Sequence, residues 1–148
     1  MAASAWIIFD RAKHYIGEGT IDLSGGEFRI SLHGTLASTN LTGDITIKSS
    51  VGTEASGGGY AAGGQSLSTP LWTDGASAGE QKWDATDPIM TASASALDGV
   101  RYAVIATSVT ATSGILLCYA ALSTAEFSVS SGNTLTIQMN SNGIFTLT

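Results

Sequence analysis

Four carboxylates crowd one stretch of this chain: Asp74, Glu80, Asp84 and Asp87. Oxygens in that number suit Ca²⁺, which takes about six to eight of them. Two carboxylates on opposite sides of a glycosidic bond would also suit sugar hydrolysis. The spacing matches no EF-hand, and charge clusters are ordinarily solvated faces, so a solvated acidic loop is expected. The two histidines, His14 and His33, raise a Ser-His-Asp arrangement. No Gly-x-Ser-x-Gly elbow is recognised to supply its nucleophile, and both imidazoles are expected on the surface. Cys118 lies in the apolar run Ile115–Tyr119. A lone cysteine forms no intrachain disulfide. No histidine or basic neighbour in sequence lowers its pKa, so it reads as a small buried apolar residue. No catalytic residue, metal or cofactor is expected.

The glycine-rich run from Ser56 to Gly64 suggests a phosphate loop only superficially. A P-loop needs Gly-Lys-Ser/Thr opening a helix, and the dinucleotide fingerprint needs a βαβ unit. Neither context exists, so these glycines are expected to permit tight turns and close backbone approach. Tyr60, Trp72 and Trp83 have faces that stack on sugar rings, which would make a carbohydrate-binding module. The preferred reading is that they anchor a long loop to the core or fill an interface.

These residues must be positioned by β-structure. Only Trp6–Ile16 carries a helical pattern, with Phe9, Ala12 and Ile16 near one face and Gly17 as the stop. After it, strands are expected at Thr20–Leu23 and Glu27–Leu32, joined by Ser24, Gly25 and Gly26. In the second, Phe28, Ile30 and Leu32 alternate with Glu27, Arg29 and Ser31, a half-buried strand. Asp44–Lys48 repeats the alternation. Residues 49–79 are a long Gly/Ser-rich loop region anchored by Tyr60, Leu67, Leu71 and Trp72, with a short strand at Gln65–Leu71. Further strands are expected at Glu80–Asp84, Ile89–Ser93, Val100–Thr107, Ile115–Ala121 and around Phe127 and Val129. Ile115–Ala121 is continuously apolar and so buried on both faces. Thr134–Met139 and Ile144–Leu147 should form a hairpin through Asn142-Gly143. Nine or ten short strands without a repeat predict an all-β fold: an antiparallel β-sandwich or jelly roll with a short N-terminal helix or arm, residues 1–18.

At 148 residues the chain fits one domain, 1–148. Only 12% of its residues are charged, against roughly a quarter in an average domain. The formal net charge of −6 and the scattered Arg11, Lys13, Arg29, Lys48, Lys82 and Arg101 argue against a nucleic-acid or membrane-surface partner. The N-terminus carries no positive region, and its apolar run is too short for a signal peptide or a span, so synthesis in a cytoplasm is expected. The Asn40-Leu41-Thr42 sequon is then chance.

Gly19–Leu23, Phe28–Leu32, Glu54–Gly57, Gly59-Tyr60, Gly63-Gly64, Trp83-Asp84, Asp87-Pro88, Arg101–Val104 and Asn142–Ile144, in this order, resemble a group of small virion structural proteins of tailed bacteriophages. The resemblance covers most of the chain. It implies a non-enzymatic jelly-roll decoration (cement) protein, assembled in the host cytoplasm on the outside of the head shell. The implied partners are the major capsid protein and the protein itself, as dimers or trimers at symmetry axes. A neck, tail or fibre station in the virion is the nearest alternative. The apolar arm, with Trp6, Ile7, Ile8 and Phe9, and the loop residues Tyr60, Leu67, Leu71 and Trp72 are the expected contacts.

Overall fold

The computed structural model describes residues 4–36, 50–107 and 114–148. The strand expected at 44–48 and the sequon at 40–42 lie outside these residues. The fold is an all-β antiparallel sandwich with one short helix.

Four strands build the centre: β1 (Ile7–Ile8), β2 (Phe28–Leu36), β10 (Tyr102–Thr107) and β11 (Leu116–Ala121). They join in the order β1, β11, β10, β2, all antiparallel. Beyond β2, its outer edge is shared by two short strands. β3 (Gly52–Glu54) pairs with His33–Leu36, and β5 (Gln65–Ser66) pairs with Arg29 and Ile30. The expected alternation in β2 holds for Phe28, Ile30 and Leu32, but Ser31 and His33 on the other face are buried too. A central strand covered on both faces needs no solvated side. β11 is buried on both faces, as its continuous apolar run predicts.

The remaining strands form smaller sheets. β4 (Ser56–Gly57), β9 (Leu97–Val100) and β12 (Phe127–Val129) make one. β8 (Ile89–Thr91) and β13 (Thr134–Thr136) make a second. β6 (Leu71–Asp74), β7 (Gln81–Asp84) and β14 (Phe145–Leu147) make a third. The core closes between this third sheet and the central one. Phe28 of β2 meets Trp83 of β7 edge-on, ring centroids 4.7 Å apart, and Phe145 of β14 stacks on Trp83 at 5.5 Å. The Trp83 indole donates to the Leu23 carbonyl at 3.1 Å, so its buried N–H is satisfied.

Three expectations are corrected. The helix α1 spans Asp10–Gly17, and Trp6–Phe9 before it are extended because β11 offers them a ladder. Thr20–Leu23 is not a strand. The Asp22 carboxylate accepts from the Ser24 and Gly25 amides and the Ser24 hydroxyl, holding a turn there. The turn before Gly143 forms, with Gly143 N–H donating to the Asn140 carbonyl at 2.8 Å. The flanking strands do not pair with each other. β13 joins β8, and β14 joins β7.

Candidate partner-docking site

The N-terminal arm is a strand added to the edge of the central sheet. Ile7 and Ile8 sit opposite Tyr119 and Cys118, and the Phe9 amide donates to the Leu117 carbonyl at 3.1 Å. Burial then sorts the four arm residues. Ile7 points outward and is 51% exposed, whereas Trp6 and Ile8 are half-buried. Phe9 is buried with its ring 5.1 Å from that of Tyr119, so it belongs to the core and is no surface contact. No charge and no proline lies between Ser4 and Phe9.

The long loop region is more ordered than its composition implies. It contains β3, β4, β5 and β6, and β6 begins where the single expected strand Gln65–Leu71 ends. Residues 56–64 form a strap fastened to β2. The Tyr60 hydroxyl accepts from the Leu32 amide at 3.0 Å and donates to Glu54 Oε1 at 2.7 Å. It thus fills the gap on β2 between β3 and β5. The same Glu54 oxygen accepts from the Gly63 amide at 2.7 Å. Arg29 donates to the Gly63 and Gly64 carbonyls. Burial pushes the Tyr60 phenol well above its usual pKa. Tyr60 is therefore directed inward at its polar end.

The other loop residues divide. Leu67 is buried, its amide donating to the Phe28 carbonyl at 2.8 Å. Leu71 is 56% exposed on β6, an edge strand. Trp72 is half-buried beside Phe145, 6.4 Å between centroids. Leu147, which the sequence reading did not single out, is 44% exposed. It lines a shallow recess of about 400 Å³ with Trp72, Ile16 and Ile21. Its signal was the two-residue offset from Phe145, which puts both side chains on one face of β14.

The residues examined for chemistry are dispersed. Asp74 accepts from the Gln81 amide side chain at 2.8 Å, Asp84 from the Ala85 backbone at 2.9 Å, and Asp87 from the Met139 backbone at 2.8 Å. Among the described residues no group of three or more His, Cys, Asp or Glu is placed to hold a metal ion. His14 lies on the surface, 3.0 Å from Glu18. His33 corrects its expectation. It is buried, with Nε2 3.0 Å from the hydroxyl of Ser31, one turn of the pleat away on the same face of β2. Both side chains are closed to solvent, so the pair presents nothing to a substrate. Cys118 is fully buried, and desolvation pushes its thiol up.

One string escaped the sequence reading. Gly75-Ala76-Ser77-Ala78-Gly79 has the Gly-x-Ser-x-Gly form of a nucleophile elbow. Here it joins β6 to β7, closed by Gly75 N–H to Glu80 carbonyl at 2.8 Å, and a strand follows it. An elbow requires a strand-to-helix turn, so this serine sits on a hairpin loop. Trp83 is enclosed in the core, so Tyr60, Trp72 and Trp83 do not share an open sugar-stacking platform.

Compared with protein families, with curated proteins and with solved structures, the chain showed no match.

Proposed function

We propose that this protein is a non-enzymatic structural protein of a bacteriophage virion. In this reading it is a decoration protein that binds the outside of the head shell and bridges subunits of the major capsid protein. It assembles in the host cytoplasm, and it associates with itself as a dimer or trimer at symmetry axes.

The observation that supports the reading is β1. It is an edge strand with a large exposed apolar side chain and none of the charges or prolines that guard edges. Such an edge is normally covered, and a shell subunit would cover it. The low charge supports the same end, because Ser, Thr, Gly and Ala surfaces dock without desolvating ions. Burying area across the seams between shell subunits opposes the outward pressure of packaged DNA.

The test uses Ile7→Asp with Leu71→Asp, since both side chains are exposed and neither supports the core. Deleting the whole arm would remove Phe9 from the core and confound binding with folding. The double variant should keep its melting temperature and fail to co-sediment with decoration-free shells. Undiminished co-sedimentation would reject the assignment of these contacts, and a wild-type protein that ignores shells would reject the function.

A further inference from the structure

The turn before β14 carries a chemistry that reversing the chain does not use. Asn142-Gly143 is the only Asn-Gly pair in the sequence, and Asp74-Gly75 and Asp98-Gly99 are the nearest in kind. In such pairs the glycine nitrogen can attack the preceding side-chain carbonyl carbon and close a five-membered ring, because glycine has no Cβ to block the approach. The structure separates the three. Asp98-Gly99 lies inside β9, which pairs with β4 on one side and β12 on the other. The Asp74 carboxylate is held by the Gln81 side chain at 2.8 Å, and a carboxylate is a poor electrophile. Asn142 is exposed, its carboxamide is the better electrophile, and that group makes no hydrogen bond among the described residues.

Two bonds hold the reacting atoms back. Gly143 N–H donates to the Asn140 backbone carbonyl at 2.8 Å, and Asn142 N–H donates to Asn140 Oδ1 at 2.9 Å. The Gly143 nitrogen must leave its bond before it can lose its proton, so reaction waits for the turn to open. Beyond the turn the backbone is seated closely on β7. A Cβ at Gly143 would lie 2.9 Å from the Trp83 carbonyl oxygen, and the Ile144 amide donates to that carbonyl at 2.7 Å. Lys82 Nζ donates to the Ser141 carbonyl at 3.3 Å. This seating brings Phe145 into register opposite Trp83.

We propose that Asn142 is a site of spontaneous deamidation, gated by its bonds to Asn140, and that the isoaspartyl product loosens β14. The Gly143 nitrogen gives its proton to hydroxide and attacks Asn142 Cγ. The N–Cγ bond forms, the Cγ–Nδ2 bond breaks, and ammonia leaves after taking a proton from water. Water then opens the cyclic imide. Addition at Cγ gives aspartate and restores the backbone. Addition at the Asn142 backbone carbonyl gives isoaspartate, whose main chain runs through Cβ and Cγ and is one carbon longer. Either product takes the formal net charge from −6 to −7. The extra carbon has no room against Trp83, so the Ile144 bond and the Phe145 register give way. Phe145 stacks on Trp83 at 5.5 Å, so the loosening reaches the core. The inference rests on this turn and is independent of the virion reading.

The experiment incubates the full-length protein in warm neutral buffer beside a synthetic peptide of residues 139–145. Peptide mapping by mass spectrometry and isoaspartyl methyltransferase labelling follow both. Asn142 should convert ahead of Asp74 and Asp98, roughly tenfold more slowly than in the peptide. Asn140→Ala removes one of the two restraining bonds from an exposed position and should speed conversion about threefold. The isoaspartyl protein should melt below Asn142→Asp, which has the same charge on an ordinary backbone, and should exchange hydrogen faster across residues 144–147. Asn142→Gln should keep its melting temperature through the same incubation. Asn142 intact after many peptide lifetimes, or Asp74 or Asp98 converting first, overturns the site. Conversion as fast as in the peptide overturns the gate. An isoaspartyl protein as stable as Asn142→Asp overturns the loosening of β14.

Discussion

β2, β10 and β11 on one hand, and the strap of residues 56–64 on the other, touch along one edge of β2, yet they are held by different means. The central strands are joined by apolar side chains buried on both faces: Ile30, Leu32, Val104, Ile105, Leu117 and Cys118. The strap has hardly any such side chains. It is fastened by one carboxylate, one phenol, one guanidinium and the ability of a glycine to approach closely. The central sheet is thus redundant, since removing one contact leaves dozens. The strap depends on a few polar bonds, each of which leaves a buried group unpaired when lost.

Phe28→Ala opens a cavity beneath Trp83 and should cost about 3–5 kcal/mol in denaturant unfolding, with the strap's own bonds untouched. Gly64→Ala attacks the strap instead. Its φ is +72°, and a Cβ there would run into the Ile30 carbonyl. The left-handed backbone alone costs about 1–2 kcal/mol, and the collision adds to it. Hydrogen exchange should show the loss concentrated in residues 56–66, where an equal loss throughout would erase the distinction between the regions. Tyr60→Phe removes one oxygen and strands the Leu32 amide, for about 1–3 kcal/mol in the same unfolding assay. Ile7→Ser removes an exposed methyl-rich side chain and should change stability by less than about 0.5 kcal/mol.

The smallest effect belongs to neither region. The Ser24 hydroxyl and the Ser24 and Gly25 amides hold the Asp22 carboxyl below its ordinary value of 3.8. A depressed carboxylate stabilises the fold above the unfolded value and loses that contribution as pH falls through the folded one. Asp22→Asn should therefore differ from wild type in melting temperature at neutral pH, with the difference shrinking below about pH 4.

Much of the central sheet was legible because its signals are local. Continuous apolarity marks β11, and alternation marks β2. Pairing partners were not legible. Asn142-Gly143 announces a reversal of direction, but a turn does not choose between neighbours. The Pro88 carbonyl accepts from the Ile137 amide and the Asp87 carboxylate from the Met139 amide, which carries the C-terminal segment across from β8 to β7. Tyr60 was read both as an anchor of the glycine-rich loop and as a contact, because the sequence does not show which way its hydroxyl turns. Its anchor, Glu54, is six residues away and gives no periodic signal. Ser31 and His33 looked like the wet side of a strand because polarity in sequence does not reveal a second layer above the sheet. Of the arm, the apolar run was visible, but what separates exposed Ile7 from buried Phe9 is that β1 ends at Ile8 and Phe9, at the start of α1, packs on Tyr119.

The sealed position of Cys118 makes the chain its own stopwatch. A thiol at the middle of β11, with strands on both sides and layers above and below, is out of reach of any reagent while β1 and β10 stay in place. Fraying of the strap or of the C-terminal end does not uncover it, whereas release of β1 or β10 does. Its modification by a thiol dye in native buffer therefore counts openings of the central sheet alone. The ratio of that rate to the rate in denaturant gives the free energy of the deepest opening, and a bound partner on β1 should lengthen the interval between events.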